Sequence, residues 1–586
     1  MIVPMKKVHL IVRKKEMNAA LEKLRELSCV HVEPLEAVAA RHLNVLREDV
    51  ALLRRAVEAL RVIKQKGPQE RFSDWRVKAE EIVRELAQVD QLTEDMAKRV
   101  ALISQWEPWG DFNPEDVERL RPKGVYLQLF KAPVGKPVEL PEGVMYQVVF
   151  TADKFHHCIA VSRAPLEVPF EKLNWPASGL NALKALQQKE QALIEKAEQR
   201  IRGNVKYLDF LNETLLKAQD RLVFEEVALG MKKEEQLSLL KGFLPQDWCE
   251  QLMRHARQEH WGILIEDPSD EDRVPTLLRN PKWVEMIKPV FKLIDIIPGY
   301  KEVDVSFVFL VFFSIFFGIL VGDAAYGIIY MALTMIAHVK LGKKLEEKTV
   351  FYLMYLLCLC AVVWGVLTGT YFGQKWLPAP VKPLVPWLND MDNIQFFCFL
   401  VAAVHLTIAH VWNIMLKFPR WNFLADIGWM ALVWTMFFAA RMFVLNHSFP
   451  AFGVPLMLTG IFLVVFFIKP NKNPLKAVGP GLGNLAMNFI NSFTDVVSYI
   501  RLFAVGLATV AVADAFNDMA IAVGFNRILS ALGASFILIV GHTLNMILAG
   551  LAVLVHGIRL NVLEFSGHLG LEWSGVAYQP FRKIGK

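Results

Sequence analysis

Hydrophobic and polar positions change rhythm several times along this 586-residue chain. From Lys6 to Val32 the order reads strand, helix, strand. KVHLIV alternates, Glu16–Leu27 carries apolar residues at helical spacing, and CVHV alternates again. From Leu35 to Lys66, and again over Phe72–Ile103, apolar positions recur about every 3.5 residues with charges between them, the rhythm of a long coiled coil. Gly67-Pro68 separates the two stretches. A middle section holds three alternating segments, GVYLQLF at 124–130, VMYQVVF at 144–150 and HHCIAVS at 156–162. Another long charged helix is expected over Leu180–Leu229. Two further strands, Leu237–Pro245 and Trp261–Asp267, flank a helix of about 12 residues.

After Pro298 the periodic charges disappear. Val305–Val339 is almost wholly apolar, broken at Gly322-Asp323. One membrane crossing needs about 20 apolar residues, so this run holds either two short spans or one over-long one. Further runs cover 350–372, 394–416, 423–444, 454–468, 485–516 and 528–558. Lys340, Lys343, Lys344 and Lys348 follow the first run, Lys417 and Arg420 the 394–416 run, and Lys469, Lys472 and Lys476 the 454–468 run. Arg582, Lys583 and Lys586 close the chain. With eight spans every one of these basic segments falls on the cytoplasmic side, as the positive-inside rule requires; with seven they do not. The expected fold is therefore an α+β cytoplasmic half, residues 1–298, followed by an all-helical membrane domain of eight transmembrane helices, 299–586. The first half comprises two small α/β lobes (about 1–34 with 237–270, and about 122–165) joined by coiled-coil helices at about 35–105 and 179–229.

Charge follows the same division. Of 124 charged residues, 29 lie from Val305 onward, 18 basic and 11 acidic. A wholly soluble globular protein does not segregate charge in this way, and a disordered chain is not 54% hydrophobic. The net charge of +6 sits in loops between apolar runs and gives no nucleic-acid footprint. Cys29, Cys158, Cys249, Cys358, Cys360 and Cys398 show no paired metal-ligand spacing and read as core residues. No long apolar leader opens the chain, so the first half is expected to remain cytoplasmic. Val134-Gly135-Lys136-Pro137 lacks the other positions of a phosphate loop, and no hydrolase or zinc-protease motif occurs, so neither cofactor nor bound metal is expected.

Ionisable residues inside the apolar runs carry the chemical signal: Asp323, Asp426, Asp495, Arg501 and Asp514, with Arg559 and Glu564 near the last run's end. Each costs about 2.5–3.5 kcal/mol at a bilayer centre unless it finds a partner or water. Asp323 beside Gly322 fits a polar hairpin tip, and Asp426 near Arg420 fits an interface. Arg501 lies well inside its run, and its guanidinium does not deprotonate. A fixed cation of this kind keeps a mobile carboxylate ionised while the two are adjacent. A permanent pair with Asp495 is the alternative, but six residues on a helix leave about 240° between them. Arg501 would share a face with Thr494, Ser498, Val505, Ala508 and Val512, in a run whose many small residues allow close helix approach. A straight helix of about 32 residues over 485–516 would exceed the hydrocarbon thickness and tilt strongly.

TDVVSYIRLFAVGLA (494–508) is similar to the signature of the membrane subunit of V-type and A-type rotary ATPases. HGIRLNVLEF (556–565), GVAYQPF (575–581) and the segment from PGYKEVD to FFGILVGDAAYG (298–327) resemble three further family segments. The resemblance covers essentially the whole chain and is most specific in its last hundred residues. It implies a non-catalytic stator subunit of a prokaryotic inner membrane, with both the N-terminal half and the C-terminus cytoplasmic. It also implies ion-gate arginines at Arg501 and Arg559, and two offset half-channels. Glu564, Asp495, Ser498, His542, Asn545, His556, Asp323 and Asp514 are the candidate channel groups. The partners implied are a proteolipid ring of c or K subunits, peripheral-stalk subunits of E/G type, a central rotor cap of d/C type, and membrane lipid. The chain departs from the usual pattern at Val305 and Ser314, where proline is common, and at Asn488 and Asn491, where a carboxylate is the natural expectation. Two rival readings are a secondary transporter with a cytoplasmic regulatory stalk and a non-transporting membrane scaffold. The first needs paired inverted repeats, and the Gly/Pro-rich interruption at 478–484 has no counterpart among the first spans.

Overall fold

The computed structural model describes residues 1–584 except 37–40, 64–69, 136–137, 139, 142, 153, 166–167, 177, 344, 346, 374–382 and 471–473. Parts of the expected helix over 35–66 and the loop lysines Lys344, Lys472 and Lys586 lie outside the described residues. The chain divides into two compact units. One holds residues 9–241, 256–263 and 581–586, the other residues 1–8, 242–255 and 264–580.

The opening strand–helix–strand forms as β1 (Met5–Arg13), α1 (Met17–Leu27) and β2 (His31–Glu33). The charged stretches form α2 (Arg41–Arg61) and α3 (Trp75–Trp106), and a short helix α4 (Pro114–Leu120) follows. The middle section is an antiparallel sheet of order β4-β5-β3-β6, built from β3 (Tyr126–Pro133), β4 (Met145–Ala152), β5 (Phe155–Ser162) and β6 (Glu171–Leu173). The long helix expected over 180–229 divides into α5 (Leu180–Gly203) and α6 (Leu208–Gly230) around a 3-10 turn at Asn204–Tyr207. Strands β7 (Lys232–Glu234), β8 (Leu237–Pro245) and β9 (Gly262–Glu266) enclose α7 (Cys249–Gln258), and the sheet order is β2-β8-β1-β9 with β7 on β8.

In the first unit α3 runs antiparallel to α5, joined by the pairs Arg99–Glu190 and Arg200–Glu85. Helix α2 runs antiparallel to α6 through Arg47–Glu226. Val50, Leu53, Val57, Leu60, Ile82, Leu211 and Leu215 form the apolar seam between these helices. The chain's end belongs to the same unit. Phe581 is buried beside Phe224 and its N–H donates to the Val30 carbonyl, while the Ile584 N–H donates to Asp220. None of the six cysteines forms a disulfide, and burial pushes the Cys158 and Cys249 thiols up.

The second unit begins its helical part with α8 (Lys288–Leu293). There follow α9 (Ser306–Val321), α10 (Ala324–Leu341), α11 (Thr349–Thr368), α12 (Met391–Lys417), α13 (Phe423–Leu445), α14 (Gly453–Phe467), α15 (Pro474–Ser498), α16 (Ile500–Val523) and α17 (Ile528–Ala552). Among the described residues six helical segments are long and apolar enough to cross a membrane, with α15–α16 and α17 with its extension each counted once. Helices α9 and α14 are apolar but shorter. The core of this unit is aromatic, centred on Phe309, Phe316, Phe399, Tyr326, Tyr499 and Phe565.

Of the two alternatives for the first run, the structure has two helices, turned by Gly322 at φ +68° and restarted by the Asp323 side chain, which caps α10. The helix expected through Arg501 runs on through Tyr499, which keeps helical dihedrals (φ -70°, ψ -11°) while its N–H bonds three residues back rather than four, and its hydroxyl bonds His405 Nδ1 at 2.8 Å deep in the core. Beyond α17 the backbone widens into π-helix at Val553–Gly557 and Leu560–Phe565. Close to where the helical part begins, the Gly575 N–H donates to the Ile297 carbonyl, and 275–276 pair in parallel with 576–577.

Candidate functional site

Arg501 lies two residues beyond Tyr499 in the helix of α15 and α16. Its side chain is 26% exposed, with Nη2 donating to Ser498 Oγ at 2.7 Å and lying 3.5 Å from Glu564 Oε1. Arg559, from the widened end of the last helix, brings its Nε to 3.6 Å from the same oxygen. Arg501 and Arg559 thus flank one carboxylate, and Asp495 is not among Arg501's partners. The exposed face continuing from Arg501 keeps ordinary helical spacing. Ser498 is buried and Val505 half-buried, and the exposed line runs through Ala504, Ala508, Ala511 and Ala515. Four alanines make a low, smooth ridge against which another helix can lie closely.

Two polar clusters lie on either side of Arg501 along this helix. Six residues before it, Asp495 Oδ2 accepts from His568 Nε2 at 3.1 Å. His568 Nδ1 is 2.9 Å from His410 Nε2, and His410 Nδ1 is 4.0 Å from Asp426 Oδ1. Asp426 also accepts from Lys417 Nζ at 2.7 and 3.0 Å. Since a carboxylate only accepts, His568 donates from Nε2 to Asp495; with a single hydrogen on the His568 ring, its Nδ1 accepts from His410 Nε2. These residues line a cavity of about 420 Å³ together with Asn413, Asn484, Asn488 and Asn491. Such a space has room for several waters and the polar partners to hold them. Asp426 is buried within the protein and pairs with Lys417 from the end of α12.

The second cluster lies beyond Arg501. Asp514 lines a cavity of about 310 Å³ with Gly322, Thr368, Thr370, Asn389 and Gly506. One turn further, Asn517 donates to the Phe372 carbonyl at 2.6 Å and accepts from His542 Nε2 at 3.1 Å. That fixes His542 Nδ1 as an acceptor, and it receives the Tyr326 hydroxyl at 2.7 Å. Asn545 donates to the Tyr326 oxygen at 3.0 Å and to the Thr509 carbonyl at 2.7 Å. Asp323 is buried and accepts from the Ala325, Tyr326 and Gly373 N–H groups, so its carboxylate is committed to holding the α10 start and the Phe372 loop. With one rise of 1.5 Å per residue, Asp514 lies about 20 Å along the axis from Arg501 and Asp495 about 9 Å on the other side.

The structure therefore brings Arg501, Ser498, Glu564 and Arg559 together, Asp495 into one cluster, and Asp514, Asp323, His542 and Asn545 into or beside another. His556 joins neither: it sits in the first π-helical segment with its Nδ1 buried and no hydrogen-bond partner there. Sequence reading passed over His410, His568, Tyr326, Asn517 and the Tyr499–His405 pair. His405 and His410, five apart in an otherwise apolar run, were the available signal. Among the described residues no group of His, Cys, Asp and Glu has metal-binding geometry.

No protein-family model matches the chain. It is similar to V-type ATP synthase subunit I of Borreliella burgdorferi, at 30% identity over 618 residues covering the full length of both chains. V-type ATP synthase subunit I 1 of Treponema pallidum is likewise 30% identical over 643 residues, again at full coverage of both. Among solved structures, the cytoplasmic N-terminal domain of subunit I, homolog of subunit a, of V-ATPase aligns with 44% of this chain and 99% of its own, at 15% identity and a TM-score of 0.21. End-to-end identity with the two curated relatives places the chain in the V-type/A-type ATP synthase subunit I family, a membrane subunit of a rotary ATPase.

Proposed function

We propose that this chain is the stator of such a machine, passing ions between a rotating proteolipid ring and the two sides of the membrane. The observation carrying the reading is that a half-exposed arginine pair separates two polar cavities that do not join. The alanine ridge Ala504–Ala508–Ala511–Ala515 is the surface on which the ring's helices would turn, and Arg501 sits at its end. A guanidinium about 4 Å from an arriving ring carboxylate contributes about 4 kcal/mol at an effective dielectric near 20. That corresponds to about three pKa units in favour of the ionised carboxylate. The ring site therefore gives up its ion as it nears Arg501 and regains one only after moving past, from the other cavity. A direct leak would require an ion to pass the fixed cation.

The Asp495 cluster serves as the cytoplasmic half-channel in this reading. An extra proton placed on His410 Nδ1, next to Asp426, lets His410 release its Nε2 hydrogen to His568 Nδ1. His568 in turn releases its Nε2 hydrogen to Asp495, and the chain resets by ring reorientation. The Asp514 cavity, with Asn517, His542 and Tyr326 behind it, serves the opposite side. Eight spans are reached by counting α9 and α14 with the six longer segments. An even number fits the chain returning to its start, since Gly575 bonds Ile297 and Phe581 packs beside Val30. The first unit, with its long paired helices, is the site for E/G-type peripheral stalks and the d/C-type rotor cap, and ATP chemistry resides on other subunits.

The test is Arg501→Lys and Arg501→Leu in the complex purified from membranes and reconstituted into vesicles. Arg501→Leu should abolish ATP-driven ion uptake while hydrolysis by the detached catalytic head survives. Arg501→Lys should lose most uptake, because lysine keeps the charge but not the planar fork. Uncoupling is read as ions moved per ATP. Recovery of this chain alone, without ring or head subunits, would overturn the reading.

A further inference from the structure

Glu564 sits between the two arginines, with Oε1 at 3.5 Å from Arg501 and 3.6 Å from Arg559, and its side chain is 3% exposed. It lines neither cavity. Its second oxygen, Oε2, is buried and has no hydrogen-bond partner among the described residues. In an α-helix, residues five apart point about 140° away from each other. Here Leu560–Phe565 is π-helical, and bonding from i to i+5 brings Glu564 nearly into line with Arg559. The widened backbone is thus what places this carboxylate at the gate, and π-helical turns of this kind concentrate at functional sites.

We propose that Glu564 is a positioning residue that acts as the resident counter-ion of the arginine gate and sets how tightly the gate holds each passing ring carboxylate. The assignment rests on the stator reading above. A conduction station would be expected to line one of the two polar cavities, and among the described residues Glu564 lines neither. Two fixed cations without an anion would hold a ring carboxylate between +2 charges, and rotation would wait on its escape. With Glu564 in place the pair presents +1, which keeps one ring carboxylate ionised and still releases it. As the ring carboxylate leaves, both guanidinium groups fall back on Glu564 Oε1, so neither is left without a partner in the low-dielectric gap. No bond is made or broken in this role.

The experiment compares Glu564→Gln, Glu564→Asp and Arg501→Leu in the complete complex reconstituted into vesicles. Proton uptake is followed with a pH-sensitive dye, and sodium uptake with radioactive sodium. Glu564→Gln keeps the shape and removes the charge. It should lower the maximal rate of ATP-driven uptake at least fivefold, with unchanged KM for ATP, unchanged ions per ATP and no added passive leak. Glu564→Asp should retain at least half the rate. Full-speed Glu564→Gln beside an uncoupled Arg501→Leu overturns the role of Glu564 alone. Increased leak, or failure of Glu564→Gln to assemble, makes the residue structural and also overturns it. Normal uptake by Arg501→Leu overturns the gate, and this assignment with it.

Discussion

Arg501 is legible as unusual from its position alone, because no other side chain keeps a charge so reliably in an apolar run. Its partners are not legible. Ser498 precedes it by three residues, a spacing that neighbouring helix positions allow, but Glu564 is 63 residues away and reaches it through the π-helical end of another segment. The same holds for Asp495, whose histidine partner lies 73 residues on. That pairing gives a residue-scale prediction. His568→Ala breaks the chain between His410 and Asp495, and ATP-driven proton uptake should fall by about tenfold or more while the complex still assembles. Uptake by Asp495→Asn should fall similarly, and the double variant should fall no further, since both remove one pathway. An additive double variant would show that the two residues act separately.

At the scale of elements, helix existence follows from hydrophobic runs, but helix contact follows from what the runs leave out. Gly365 of α11 lies so close to the α10 start that a Cβ placed there would be 2.0 Å from the Ala324 nitrogen. Gly506, below the gate, would bring a Cβ to 2.6 Å from the Ile319 carbonyl oxygen of α9. Both obstacles are backbone and cannot rotate away. Gly365→Val should therefore force α10 and α11 apart at a cost of at least about 1–3 kcal/mol, read as a lower Tm of the detergent-solubilised chain. An unchanged Tm would mean these helices pack with slack the structure does not have. The Tyr499–His405 hydrogen bond is the other element-scale feature hidden from sequence, since it ties the helix of Arg501 to α12 across 94 residues.

For the molecule as a whole, the return of the chain's end matters most. Phe581 is 4% exposed and packs beside Phe224 within the α+β unit. Removing a buried ring of this size costs about 3–5 kcal/mol in a core. Phe581→Ala should destabilise that unit by about that amount and release the last residues to protease. Tags placed at both ends should be reached from the same face of sealed membrane vesicles, and labelling from opposite faces would contradict an even number of crossings. Cytoplasmic placement of both ends is part of the proposed function and is read from the same experiment.

The sequence by itself determined the division into a charged α+β half and an apolar helical half, the strand-helix-strand opening, and the isolation of Arg501. These depend on composition and short-range periodicity, which neighbouring residues carry among themselves. Tertiary structure alone decided which charges meet. Two histidines from distant helices complete the Asp495 chain, a capped turn takes up Asp323, and a widened backbone swings Glu564 between two arginines. In a low-dielectric interior each buried polar group must find a partner wherever the packing offers one, and packing is set by contacts hundreds of residues apart.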